Sequence, residues 1–125
     1  GLMSTYHTCG GMMAILDRIP ENGADASETL SPPEVGGDIT SNEDRDRVRE
    51  TLGSRGALIG GINQAMLEQP NTPQLEQRIA EGVRACFETF GREGGYICSA
   101  SDHFFHAPPE NLAALARAAS ECTYS

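Results

Sequence analysis

Ser4-Thr5-Tyr6-His7-Thr8-Cys9-Gly10-Gly11 opens a pattern that recurs four times along the chain. The first strand is expected over about 2–9, Leu2 to Cys9, and stops at the glycine pair. The segment after it, Met12-Met13-Ile15-Leu16-Ile19, has helical spacing and ends near Pro20 and the turn Glu21-Asn22-Gly23. Side chains alternate along a strand, so His7 and Cys9 point the same way, and Gly10-Gly11 lets the backbone turn into the helix. An imidazole and a thiol on one face of a strand tip are two soft metal donors. Their placement suits a zinc corner at the mouth of a barrel.

The next unit has a short strand over 26–30, then the loop Ser31-Pro32-Pro33-Glu34-Val35-Gly36-Gly37-Asp38, too rich in Pro and Gly to be regular. Ser41 is a good N-cap with Asp44 three residues on. It opens a charged helix over 42–52, with Gly53 closing it in a left-handed cap. The mixed run from Glu43 to Glu50 is expected to be a solvated face laced with weak ion pairs.

The third strand is Ala57-Leu58-Ile59, ending at Gly60-Gly61-Ile62-Asn63. Asn71-Thr72-Pro73 starts the strongest helix, whose Leu75, Ile79, Val83, Cys86, Phe87 and Phe90 fall on one stripe. The fourth strand is Gly95-Tyr96-Ile97-Cys98-Ser99-Ala100, and Pro108-Pro109-Glu110 opens the last helix.

Strands alternating with helices mean an α/β fold with a parallel sheet, and a chain of this length fits one domain, 1–125. Four βα units equal half of an eight-stranded barrel. Alone they leave two open sheet edges, so a homodimer that covers or completes the barrel is expected. Loops after the carboxyl ends of such strands carry the functional residues. His7, Cys9, Glu34, Asn63, Cys98, Asp102 and His103 all lie there.

A net charge of -9 and a pI near 4.6 set nucleic acid and anionic membranes aside as partners. All nine basic residues are arginines, which excludes Schiff-base and phosphate-loop lysine chemistry. No apolar run approaches the roughly 18 residues of a membrane span and no export signal is legible, so a cytoplasmic location and reduced thiols are expected. Cys86 and Cys122 read as small buried hydrophobes. Gly1-Leu2 before Met3 reads as a possible cloning remnant.

The succession Tyr6-His7-Thr8-Cys9-Gly10, Leu30-Ser31-Pro32-Pro33-Glu34, Ala57-Leu58-Ile59-Gly60-Gly61-Ile62-Asn63, Gly94-Gly95-Tyr96-Ile97-Cys98 and Ala107-Pro108-Pro109-Glu110-Asn111-Leu112 resembles the C-terminal half of the uroporphyrinogen decarboxylase superfamily. The resemblance spans nearly the whole chain. It implies a (β/α)8-type scaffold and one of two chemistries, cofactor-independent decarboxylation of a tetrapyrrole or zinc-dependent methyl transfer from a corrinoid such as methylcobalamin to a small-molecule thiol.

The His-x-Cys pair with a later cysteine is similar to the zinc signature of the methyltransferase branch. The resemblance thus carries zinc ligation onto His7, Cys9 and Cys98, with Asp102 or His103 as the alternative third ligand. Counting back from Pro108-Glu110-Asn111 puts the family's third ligand near Ser101 or Asp102. The family's N-terminal half, whose arginine and aspartate residues grip porphyrinogen carboxylates, has no counterpart in these residues.

Two Cys and one His would leave zinc a fourth position for a substrate thiol. Glu34, Asn63 and Asp102 are the candidates for acid, base or positioning roles. Phe104 and Phe105 read as a contact surface. Methyl transfer, tetrapyrrole decarboxylation and a non-catalytic binding module remain three distinct expectations.

Overall fold

The computed structural model describes residues 1–124. Its sheet has four parallel strands in the order β1-β2-β3-β4: β1 Thr5–His7, β2 Ala26–Thr29, β3 Ala57–Ile62 and β4 Tyr96–Ala100. A 3-10 helix, Met13–Asn22, links β1 to β2. The helix α1, Asn42–Leu52, links β2 to β3. A short α2, Gln64–Leu67, and the long α3, Pro73–Thr89, link β3 to β4, and α4, Pro109–Glu121, follows β4. This is the α/β, all-parallel arrangement of half a TIM barrel, and β1 and β4 are its two edges. Among the described residues no helix is long and apolar enough to cross a membrane.

Register fixes which side chains share a face. Tyr6, Ser27, Leu58 and Tyr96 stand in one row across the sheet, and Glu28, Ile59 and Ile97 in the next, with His7 paired to Glu28. The first row faces the helices, where Leu58 is fully buried and Tyr96 nearly so. The second row faces the uncovered side, the interior of a barrel, where Ile97 stays 55% exposed.

The core lies between the sheet and the helices. Leu75, Ile79, Val83 and Cys86 of α3 form the expected buried stripe, and Leu16, Val48, Leu58, Ile62, Leu67 and Phe90 meet them there. Each such side chain contributes about 1.5–3 kcal/mol through apolar burial. Burial also raises the Cys86 thiol pKa to about 11, so that Cys86 stays a neutral hydrophobe donating to the Gly61 carbonyl.

Several boundaries differ from the sequence expectations. The first strand is only Thr5–His7, not 2–9, because the residues before it have nothing to pair with beyond Ser4. Pro20 does not end the first helix but sits inside it near its carboxyl end, in the 3-10 helix Met13–Asn22, where it removes one backbone donor from the last turn. Ser41 and Asp44 do form a capping box at the start of α1, but Gly53 is right-handed (φ -69°) and not a left-handed cap. The loop after β2 holds a 3-10 turn, Pro33–Val35.

The charged face of α1 is not wholly solvated. Arg49 is buried and its guanidinium donates to the carbonyls of Phe90 (3.2 Å) and Gly94 (2.8 Å), tying α1 to the turn before β4. β3 does not stop at Ile59 but runs through Gly60-Gly61 to Ile62. A Cβ at Gly60 would stand 1.9 Å from the Thr29 carbonyl oxygen, and its φ of +118° is open only to glycine.

Candidate functional site

The carboxyl ends of β1 and β4 bound a groove of about 580 Å³ on the uncovered side of the sheet. His7, Glu28, Ser99, Ser101, Asp102 and His103 line it. Parallel pairing sets His7 directly beside Glu28. The contact that follows is close: His7 Nδ1 lies 2.8 Å from Glu28 Oε1. His7 Nε2 lies 2.8 Å from Cys9 Sγ. A carboxylate only accepts, so Nδ1 carries the ring proton and Nε2 presents its lone pair to the thiol, whose S–H donates. His7 and Glu28 keep 45% and 35% of their side-chain surface, and Cys9 is exposed, so all three are open to solvent and ligand.

Glu28 went unnoticed in the sequence. The available signal was a carboxylate inside a predicted strand, out of place there unless it has a partner; the structure adds that its neighbours Ser27 and Thr29 are buried. Cys9 lies past the end of β1, yet its side chain still returns to His7.

Asp102 and His103 follow β4 on the other wall. Asp102 Oδ1 accepts from the His103 backbone N–H (2.7 Å) and stands 2.8 Å from its ring Nδ1. The His103 backbone N–H, then its ring, and more weakly His7, hold the Asp102 pKa below its ordinary value, so it stays a carboxylate. The His103 ring stacks on Phe105 at 6.4 Å between centroids, and Phe105 is 80% exposed, whereas Phe104 packs on the core. Ser101 is fully buried, and its hydroxyl has no partner among the described residues.

Cys98 is not brought to this cluster. It stands beside Gly60 in the row that faces the helices, next to Tyr96 and packed against the core, so the pleat of β4 directs it away from the face that carries His7. Cys98 is half-buried there, and desolvation raises its thiol pKa. Strand parity thus places Cys98, expected as the third zinc ligand, on the opposite face of the sheet from His7.

Glu34 and Asn63 also lie elsewhere. They share a separate cavity of about 170 Å³ with Arg45 and Met66. Glu34 is exposed in the 3-10 turn, and Asn63 caps α2 by accepting from the Ala65 N–H at 3.0 Å.

Zinc can be tested against this geometry. A tetrahedral ion with Zn–N near 2.0–2.1 Å and Zn–S near 2.3 Å keeps its nitrogen and sulfur donors about 3.5 Å apart. The His7–Cys9 pair, at 2.8 Å, stands somewhat closer than that separation, and both side chains are exposed. A carboxylate on the far ring nitrogen is the usual support for a metal-bound imidazole. The pair fits as one corner of a site. Among the described residues, however, no three His, Cys, Asp or Glu side chains already stand in a cation-holding group.

A model of the family described as uroporphyrinogen decarboxylase (URO-D) matches residues 1–122. The chain belongs to the uroporphyrinogen decarboxylase family. No curated protein matches it. Within this URO-D family chain, the His7–Cys9–Glu28 corner sits at the carboxyl end of parallel strands, where barrel enzymes carry their chemistry.

Proposed function

We propose that this URO-D superfamily chain carries the zinc corner of a methyltransferase that moves a methyl group from a corrinoid donor to a small-molecule thiol. One observation carries the reading: His7 Nε2 faces Cys9 Sγ while Glu28 holds Nδ1, each contact 2.8 Å long. Zinc, when bound, holds a substrate thiol as its thiolate at neutral pH and so supplies the nucleophile.

The chain's own groups supply the rest. Glu28 fixes the His7 tautomer and ring plane, so that Nε2 is free to ligate. Cys9 would ligate as its thiolate, its proton passing to solvent at this exposed position, and the open groove would leave room for the incoming thiol. The same reading places a second copy over the uncovered face, where Ile97 is exposed and β1 and β4 are unpaired.

Metal analysis of the purified chain tests the reading. Wild-type protein is expected to hold about one Zn²⁺ per chain, and His7→Ala and Cys9→Ser to lose it while keeping their circular dichroism. Wild-type protein that takes up no zinc, or variants that keep it, would overturn the proposal. Carbon dioxide released from uroporphyrinogen by the metal-free chain would replace it with decarboxylation.

A further inference from the structure

We propose that the segment following α4 guards the open edge of β4, with Tyr124 and a second copy of the chain competing for the same backbone groups, a competition that rests on the second copy placed above but not on zinc.

β4 bonds β3 through alternate residues. The Leu58 N–H donates to the Gly95 carbonyl (2.8 Å) and the Ser101 N–H to the Ile62 carbonyl (2.9 Å), so Tyr96, Cys98 and Ala100 turn their N–H and C=O groups outward. Such a row is a template for another strand. The opposite edge of the sheet is its complement. The Thr8 N–H donates to the Glu28 carbonyl and the Ser4 carbonyl accepts from Asp25 and Ala26, so Thr5 and His7 of β1 are the residues that face outward. A second copy therefore brings a β1 whose free groups match those of β4 in parallel pairing.

Tyr124 already occupies the first rung. Its hydroxyl donates to the Tyr96 carbonyl at 3.0 Å and accepts from the Tyr96 N–H at 3.3 Å, serving that residue as a neighbouring strand would. Two features hold it there. Cys122 leaves the last turn of α4 in an extended conformation (φ -86°, ψ 121°), and the Tyr124 ring lies against Phe87 of α3 with centroids 5.0 Å apart. Among the described residues, no backbone or side-chain group takes up the outward groups of Cys98 and Ala100, so the guard covers one rung of three.

The guard is also poised to lift. Tyr124 keeps 53% exposure, and cavities of about 380 Å³ and 340 Å³ run along Thr123, so the segment is not packed into the core. Two hydrogen bonds of ordinary strength are what an incoming strand has to replace, and its own ladder supplies their equivalents.

The experiment is hydrogen exchange at the Tyr96 amide, at a dilution where the chain is monomeric, together with sedimentation across a concentration series, on the wild type, Tyr124→Phe and Tyr124→Ala. Tyr124→Phe keeps the ring and loses only the hydroxyl. It is expected to speed Tyr96 exchange roughly three- to tenfold and to tighten self-association by roughly threefold or more. Tyr124→Ala, which also gives up the contact with Phe87, should associate at least as tightly. Wild-type exchange at Tyr96 in Tyr124→Phe would overturn the contact, and faster exchange with unchanged association in both variants would overturn the guard. A monomeric wild type beside self-associating variants would support the guard while removing the second copy from the wild-type chain, which separates the two readings.

Discussion

His7 and Glu28 are register partners across β1 and β2, and their side chains meet at 2.8 Å on the uncovered face of the sheet. The pairing makes the imidazole's orientation a property of the fold and not of a loop. Glu28→Ala is expected to leave the fold intact and weaken zinc binding by roughly 10–100-fold, as loss of a ligand-orienting carboxylate does. Chelator competition on the folded variant checks this. Undiminished affinity would mean that Glu28 does not orient the ring.

Two glycine-to-alanine changes should move stability in opposite directions. At Gly60 the added Cβ meets the Thr29 carbonyl oxygen at 1.9 Å in a backbone conformation alanine disfavours. Gly60→Ala is expected to cost about 3 kcal/mol or more. At Gly82, inside α3, the new methyl finds only Met66 Cε at 3.7 Å, an ordinary contact. Gly82→Ala is expected to gain about 0.5–1 kcal/mol from helix propensity and a less flexible unfolded chain. Urea unfolding of the two variants gives both signs.

The contrast at Gly60 also marks what the sequence could and could not tell. Three of the four strands, the α3 stripe and the Ser41–Asp44 capping box were legible, because periodicity and capping are local. The passage of β3 through Gly60-Gly61 was not, since the reason for glycine there is the neighbouring strand's Thr29 carbonyl. Arg49 was legible only as a charge, because the carbonyls of Phe90 and Gly94 that receive it lie more than forty residues further on. At the site, the His7–Cys9 pairing followed from local spacing. Glu28 depended on parallel register, and the placing of Cys98 on which face Tyr96 takes. Alternation from Tyr96 carries that last answer once its burial is known.

Glu68 clamps the loop after β4, where its carboxylate accepts from the backbone N–H groups of Phe105 (2.7 Å) and His106 (2.9 Å). The Phe105 bond first, then the His106 bond, hold its pKa below the ordinary 4.5. A depressed carboxyl stabilises fully above its unfolded value, and that contribution is lost as pH falls through the folded one. Amide exchange at Phe105 and His106 is therefore expected to be protected near neutrality and to lose protection, beyond the intrinsic pH trend, once pH drops below the ordinary carboxylate range. Glu68→Gln should leave the loop less protected near neutrality, with the difference between the two chains closing as pH falls through the Glu68 titration. A loop whose protection is the same in both chains would contradict the clamp.

The sheet presents Ile97 at 55% exposure on its uncovered face, and among the described residues its two edge strands lack outer partners. Sedimentation equilibrium is expected to return twice the 13.3 kDa mass of one chain. Ile97→Asp, which puts a charge on that face, should shift the mass towards the monomer. A wild-type monomer would remove the second copy from the account.

X-ray absorption at the zinc edge, on wild-type protein and on Cys9→Ser, bears most directly on the claim that His7 and Cys9 hold one metal ion. The wild-type spectrum is expected to contain a sulfur neighbour near 2.3 Å beside nitrogen or oxygen neighbours near 2.0 Å, with the sulfur gone in Cys9→Ser. Zinc without a sulfur neighbour, or a sulfur that persists in Cys9→Ser, would contradict it.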